Sequence, residues 1–337
     1  MNSTNSLTPD FSSLGLTVKS DAERYPLISW CLIAVLGSLI GNTTILLSTI
    51  RYNAIRLDKI SVLLINNIAV SDIAMAVFAV HPTLVSLIYN RWPYGDTMCY
   101  VHHFLQVPTY LSAVYLICAL HLSKLHNLLY PFQSMSRTRR SAYLISAGTW
   151  LLSAVTPLVQ IATDRRDVTF DYRIYRCKYG FRAPVWQWLL APLSTVVTVL
   201  PNVIVVGTTI ALLVIIKKAK GRTNKQGAIT ALYIGCVYLL ANSPVAFYTA
   251  IYMKISHLMS PGARLFFDVN VYGFSYFVMF INCFTNGFVY YRSVNSFKMF
   301  VKRVALAGVS RMSFRQIVKP FVNVNIQLQS LNRPTNV

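Results

Sequence analysis

Acidic residues are scarce in this chain: ten Asp and Glu stand against 31 Lys and Arg in 337 residues, and all charged residues together reach only 12%. With 55% apolar residues and a mean hydropathy of +0.49, this poverty of charge excludes an ordinary soluble globular chain. Cysteine is sparse too. Cys31, Cys118, Cys236 and Cys283 fall inside apolar runs and read as apolar fillers, which leaves Cys99 and Cys177. The first 26 residues are polar and hold no apolar cleavable leader, so the first apolar helix is expected to serve as the anchor.

What is present is apolar length. A helical crossing needs about 20 consecutive apolar residues, and seven runs reach it: 27–50, 60–89, 99–129, 142–162, 185–216, 228–253 and 266–291. The expected fold is therefore all-α, a seven-transmembrane helix bundle. Its parts are an extracellular tail (1–26), the bundle (27–291), an amphipathic membrane-surface helix (292–306) and a cytoplasmic tail (307–337).

The net charge of +21 raises the question of nucleic acid, and its distribution answers it. With the amino terminus outside, the inner segments carry +19 and the outer segments +3, and Asp58 is the single inner acid. That asymmetry orients the chain amino terminus out and carboxyl terminus in, in a plasma membrane whose anionic inner lipids attract the basic segments. No nucleic-acid partner is expected, because no RNA- or DNA-binding pattern accompanies the charge. On this topology Cys99 and Cys177 share the oxidising side, where a disulfide fits, and Asn2-Ser3-Thr4 is an outer glycosylation sequon at Asn2.

Asp72 is the one acid deep within an apolar run. An ionisable group there costs at least about 2.5 kcal/mol, so it faces a bundle interior and has a functional role. Asn42 in the first run is expected to be its partner, and Asn282 and Asn286, four apart on one helical face, are able to join them. Pro82 is expected to kink the outer end of the second helix, and Pro201 and Pro244 to bend the fifth and sixth. Trp92 to Gly95 reads as a tight turn. Residues 168–177 alternate with period two, which predicts a short hairpin whose basic residues read as a solvated face before an acidic-ligand patch. Lys124 reads as a snorkelling lysine. Phe297, Phe300, Val301 and Val304 interleave with Lys298, Lys302 and Arg303 as in a helix lying on a membrane surface.

These residues together resemble the rhodopsin-like G-protein-coupled receptors over roughly Leu27 to Leu306. Gly41-Asn42, Ile68-Ala-Val-Ser-Asp72, Trp92 to Gly95 with Cys99, then Trp150, Pro201, Pro244 and Asn286-Gly-Phe-Val-Tyr290 stand in the family's marker order. The chain also departs from the family. Ser123-Lys124-Leu125 replaces the Asp-Arg-Tyr triplet, Asn242 replaces the tryptophan two residues before the sixth-helix proline, and Gly287 replaces the proline of NPxxY. Lysine keeps the charge but loses the planar five-donor fork, and Ser123 cannot neutralise it, so a weaker resting lock is expected. By the same resemblance Ser123, Lys124, Leu125, Asn242, Pro244, Asn286 and Tyr290 form the activation and coupling region.

The resemblance further implies a sodium site, to which Asp72, Asn282 and Asn286 correspond, with Asn42 nearby. Ala113 stands where the third helix usually supplies a serine hydroxyl, so a neutral hydrogen-bonded Asp72 is the equal alternative. No other cofactor is implied. Gln106 stands at the amine receptors' aspartate and Phe280 at the opsins' lysine, which argues against amines and retinal. The expected ligand pocket comprises Gln106, Tyr110, Thr249, Tyr252, Tyr272 and Tyr276, apolar-walled with scattered hydroxyls, and the basic hairpin leans towards a peptide. The expected function is transduction of an extracellular ligand, peptide before other small ligands, to a heterotrimeric G protein, with membrane lipid as surroundings. The altered motifs keep a second reading open, a non-coupling decoy, scaffold or dimerisation partner. An enzyme is not expected, since the inner loops hold no phosphate loop, metal cluster or nucleophile–base pair. His102 and His103 are adjacent, do not converge on one metal, and read as pocket-rim or solvated residues.

Overall fold

The computed structural model describes residues 19–52, 55, 57–130, 139–163, 168–179, 184–218, 225–248 and 258–310. Six helices among these are long and apolar enough to cross a membrane. They lie in spans one to six: Asp21–Leu46, Lys59–Met75 continued to Tyr89, Gly95–Leu129, Arg139–Thr163, Pro184–Lys218 and Lys225–Phe247. The seventh span is built from consecutive pieces, Pro261–Phe266, Phe267–Val271, Tyr272–Met279 and Ile281–Ser293. Seven spans make an all-α bundle.

Local chemistry sets where the spans begin and turn. The Glu23 carboxylate accepts from the Ser20 N–H at 2.8 Å, and the Asp58 carboxylate accepts from the Ser61 N–H at 2.9 Å to cap the second span. The second span ends on Asn90 in the left-handed region (φ 54°), and Gly95, at φ 75°, opens the third. Between them the Trp92 indole donates to the Gly95 carbonyl at 2.8 Å, which closes the expected turn. Helix geometry changes just before Pro82. A π-helical turn, Ala76–Val80, precedes it, and the His81 N–H reaches back to the Ala76 carbonyl. The widened turn absorbs the register change that a residue without an N–H imposes.

The third span is the central post, 67% buried along its most apolar stretch against 22% for the fourth. It packs on the second, fourth, fifth and sixth spans, while the first packs on the seventh. Gly41 and Gly287 make that last contact close: a Cβ on Gly287 would stand 3.0 Å from the Gly41 Cα. The replacement of the family's proline by glycine thus lets two backbones touch. The side chains are sorted inside out, with Asn42, Asp72 and Asn286 buried while Ile40, Leu151 and Leu240 are exposed, the pattern of a bundle whose solvent is lipid.

The expected hairpin forms. Strands β1 (Val168–Asp171) and β2 (Arg176–Tyr179) pair antiparallel with Phe170 opposite Cys177, and Cys177 is disulfide-bonded to Cys99 at the head of the third span. After the seventh span the helix Asn295–Ser310 turns Phe297 and Phe300 inward, against Tyr290 and Tyr52 respectively.

Candidate functional site: three polar layers in one bundle

The middle layer centres on Asp72, which is fully buried. The Asn286 amide donates to its Oδ2 at 2.6 Å, and the Ser38 hydroxyl donates to its backbone carbonyl at 3.0 Å. Asn42 was expected to meet Asp72 and does not. Its amide donates instead to Ser38 and, at 2.8 Å, to the Cys283 carbonyl. The reason lies in the seventh span, which breaks at Phe280 into tight turns, the Cys283 N–H reaching the Phe280 carbonyl at 3.2 Å; the Cys283 carbonyl beyond the break takes Asn42. Ser38, which sequence reasoning passed over, therefore bridges the two polar residues. Ala113 offers no hydroxyl, and the neighbouring Ser112 is engaged with Ser71. Asp72 Oδ1, Asn282 Oδ1 and Asn286 Oδ1 are buried without hydrogen-bond partners among the described residues, and oxygens of this kind suit a hard monovalent cation.

The inner layer corrects the reading of Lys124. The residue does not snorkel; it is buried, and its ammonium pairs with the Asp58 carboxylate. Burial opposes ionisation of Asp58, but Lys124 and the Ser61 N–H and hydroxyl outweigh it and hold the carboxyl below its usual range. Lys124 thus has a neutralising partner despite Ser123, whose buried hydroxyl has no hydrogen-bond partner among the described residues. The pair was findable, since Asp58 is the single acid expected on the inner side. Asp58, Lys124, Asn127, Leu128 and Ala228 line a small cleft. The sixth span closes over it at Gly227, where a Cβ would lie 2.8 Å from the Lys124 ammonium. Leu125 is partly buried against the inner ends of the fifth and sixth spans. Tyr290 is buried, and the amide of Asn242, two residues before Pro244, donates to the Tyr238 carbonyl at 3.0 Å.

The outer layer is formed by the hairpin pressed onto the spans. The Gln106 amide donates to the Cys177 carbonyl at 2.5 Å, and the Arg176 guanidinium donates to Gln106 Oε1 at 3.3 Å. Arg176 lies 3.9 Å from the Tyr276 ring centre, and Arg173 and Lys178 lie 5.4 and 5.1 Å from that of Tyr272. The basic face expected to be solvated is therefore turned onto the seventh span. Asp171 pairs with Arg173 at 2.8 Å and Lys178 at 2.5 Å; burial opposes its ionisation, but the two cations hold its carboxyl well below the usual range. Gln106, Tyr272 and Tyr276 are brought together, and Tyr110 lies deeper, between the two main apolar clusters. Thr249, Tyr252 and Asn2 lie outside the described residues. His102 and His103 are both buried rather than solvated: His102 packs on Trp92, and His103 hydrogen-bonds Gln160 at 2.9 Å.

With this geometry in hand, the relatives are informative. The profile described as "7 transmembrane receptor (rhodopsin family)" matches residues 41–290. The allatostatin-A receptor of Bombyx mori is 30% identical over 168 residues, 49% of this chain and 45% of that receptor. The neuropeptide Y receptor type 5 of Sus scrofa is 31% identical over 133 residues, 39% of this chain and 29% of that receptor. The lysophosphatidic acid receptor 4 of Mus musculus is 20% identical over 304 residues, 83% and 78% of the two chains. The match thus spans less than half the length of the first two. With the family's profile covering most of its length, the chain belongs to the rhodopsin family of seven-transmembrane receptors, proteins that are receptors and not enzymes.

Proposed function

We propose that this receptor is activated by an extracellular peptide and couples to a heterotrimeric G protein through the inner layer, resting in a state latched by Lys124 and Asp58. The observation that carries the reading is the ion pair itself, a buried Lys124 ammonium held by the half-exposed Asp58 carboxylate. A cation at the position of the family's arginine, supplied with a carboxylate from the start of the second span, is the type of two-state contact that activation breaks. Opening at Pro244 lifts Gly227 away from the Lys124 ammonium and exposes the cleft. A peptide is favoured over other ligands because a neuropeptide receptor stands among the relatives and because the hairpin presents a broad polar and aromatic face.

On this reading the amino terminus is outside the plasma membrane, glycosylated at Asn2, and the carboxyl terminus is cytoplasmic. The oxygens of Asp72, Asn282 and Asn286 hold a sodium ion in the resting state, which the unpartnered atoms support. The test is ligand-independent nucleotide exchange across a panel of G proteins. Wild type is expected above mock-transfected cells, with Lys124→Ala at the mock level. Silence of wild type, with signalling only after Ser123→Asp, Lys124→Arg and Leu125→Tyr are combined, would give the protein to the non-coupling reading.

A further inference from the structure

Three cations of the hairpin face the seventh span, and one carboxylate of the described side chains is paired with them. Asp171 is taken up by Arg173 and Lys178. Among the described residues Arg176 has only neutral company, the Gln106 carbonyl oxygen and the side chains of Tyr272 and Tyr276, and its Nε is buried with no hydrogen-bond partner. Such a guanidinium faces no anion among the described residues, and the group that complements it is a carboxylate that accepts two parallel N–H bonds.

The surroundings hold Arg176 ready for that role. It precedes Cys177, whose disulfide ties the strand to the third span. Gln106 is oriented by its own bond to the Cys177 carbonyl, so its oxygen faces the guanidinium. The Tyr276 ring packs against the guanidinium, 3.9 Å from ring centre to Cζ. As a whole residue Arg176 is half-buried, not sealed inside the bundle as Asp72 is. Among the described residues the hairpin carries Arg173, Arg176 and Lys178 against Asp171, a formal +2 that favours anions over cations.

We infer that Arg176, oriented by Gln106 and Tyr276, is a subsite for a carboxylate of an acidic peptide ligand. This rests on the peptide-receptor reading above and adds the chemical group that the outer layer recognises. Lys178 is already neutralised by Asp171 and serves as the nearby basic control.

The test uses the purified full-length receptor in detergent and a probe pair that differs in one charge, N-acetylphenylalanine and its amide, with oleoyl lysophosphatidic acid as a third probe. Binding is read from the concentration dependence of the thermal midpoint. The acid is expected to bind about tenfold more tightly than the amide, as one charge-assisted pair provides. Arg176→Gln should erase that preference and Lys178→Gln should keep it. Equal binding of acid and amide, no shift from either, or a preference that survives Arg176→Gln overturns the proposal. A shift from lysophosphatidic acid alone, dependent on Arg176, overturns the peptide assignment in favour of a lipid phosphate. Probe-independent nucleotide exchange by wild type in the same preparation reports on the receptor reading separately, whichever way the probes fall.

Discussion

Single atoms decide two predictions. A methyl group at Gly287 would stand 3.0 Å from backbone of the first span, whereas one at Gly148 meets nothing within 4 Å. Gly287→Ala is therefore expected to destabilise by about 1–3 kcal/mol, and Gly148→Ala to stabilise by about 0.5–1 kcal/mol through helix propensity; thermal midpoints of the two variants check this. Asp72→Asn removes the charge that would hold sodium, so the rise in thermal midpoint expected when sodium replaces choline in the buffer should vanish in that variant. A wild type indifferent to the exchange would leave Asp72 to the neutral hydrogen-bonded cluster. At this scale the sequence was readable for which residues matter and silent on who touches whom. Asp72 and Asn286 were identifiable from depth and spacing. Asn42's attachment to the Cys283 carbonyl depends on a break at Phe280 that no residue type announces.

Among the elements, the hairpin was legible because alternation has a period of two, but alternation alone does not say which face turns inward. That choice is made by the disulfide, which fixes Cys177 against the third span and sends Arg176 and Lys178 to the seventh. Cys177→Ser is expected to cost about 2–4 kcal/mol and to abolish the acid preference of the probe pair even where the protein still reaches the cell surface, since Arg176 loses its tether. The start of the second span makes a separate prediction. The folded pKa of Asp58 lies below its ordinary value, so its contribution is fully present above the unfolded pKa of about 3.9 and is lost only as pH falls through the folded value. The difference in thermal midpoint between wild type and Asp58→Asn should therefore be flat from about pH 5 to 8 and shrink only below about pH 4. A difference that drifts across neutral pH would mean that Asp58 is not the group holding Lys124.

For the whole molecule, the spans rest on apolar length summed over whole segments, a signal that survives any error in local detail. The bundle was therefore the most legible feature of the chain, and the latch the least. Its partners come from the end of one span and the start of another, 66 residues apart. The measurement that goes most directly to the proposed mechanism is ligand-independent G-protein activation by Asp58→Asn beside wild type at equal surface expression. If Lys124 rests on Asp58 and couples once released, Asp58→Asn should signal severalfold above wild type, and adding Lys124→Ala should return it to the mock level. An unchanged or lower signal in Asp58→Asn would contradict the latch.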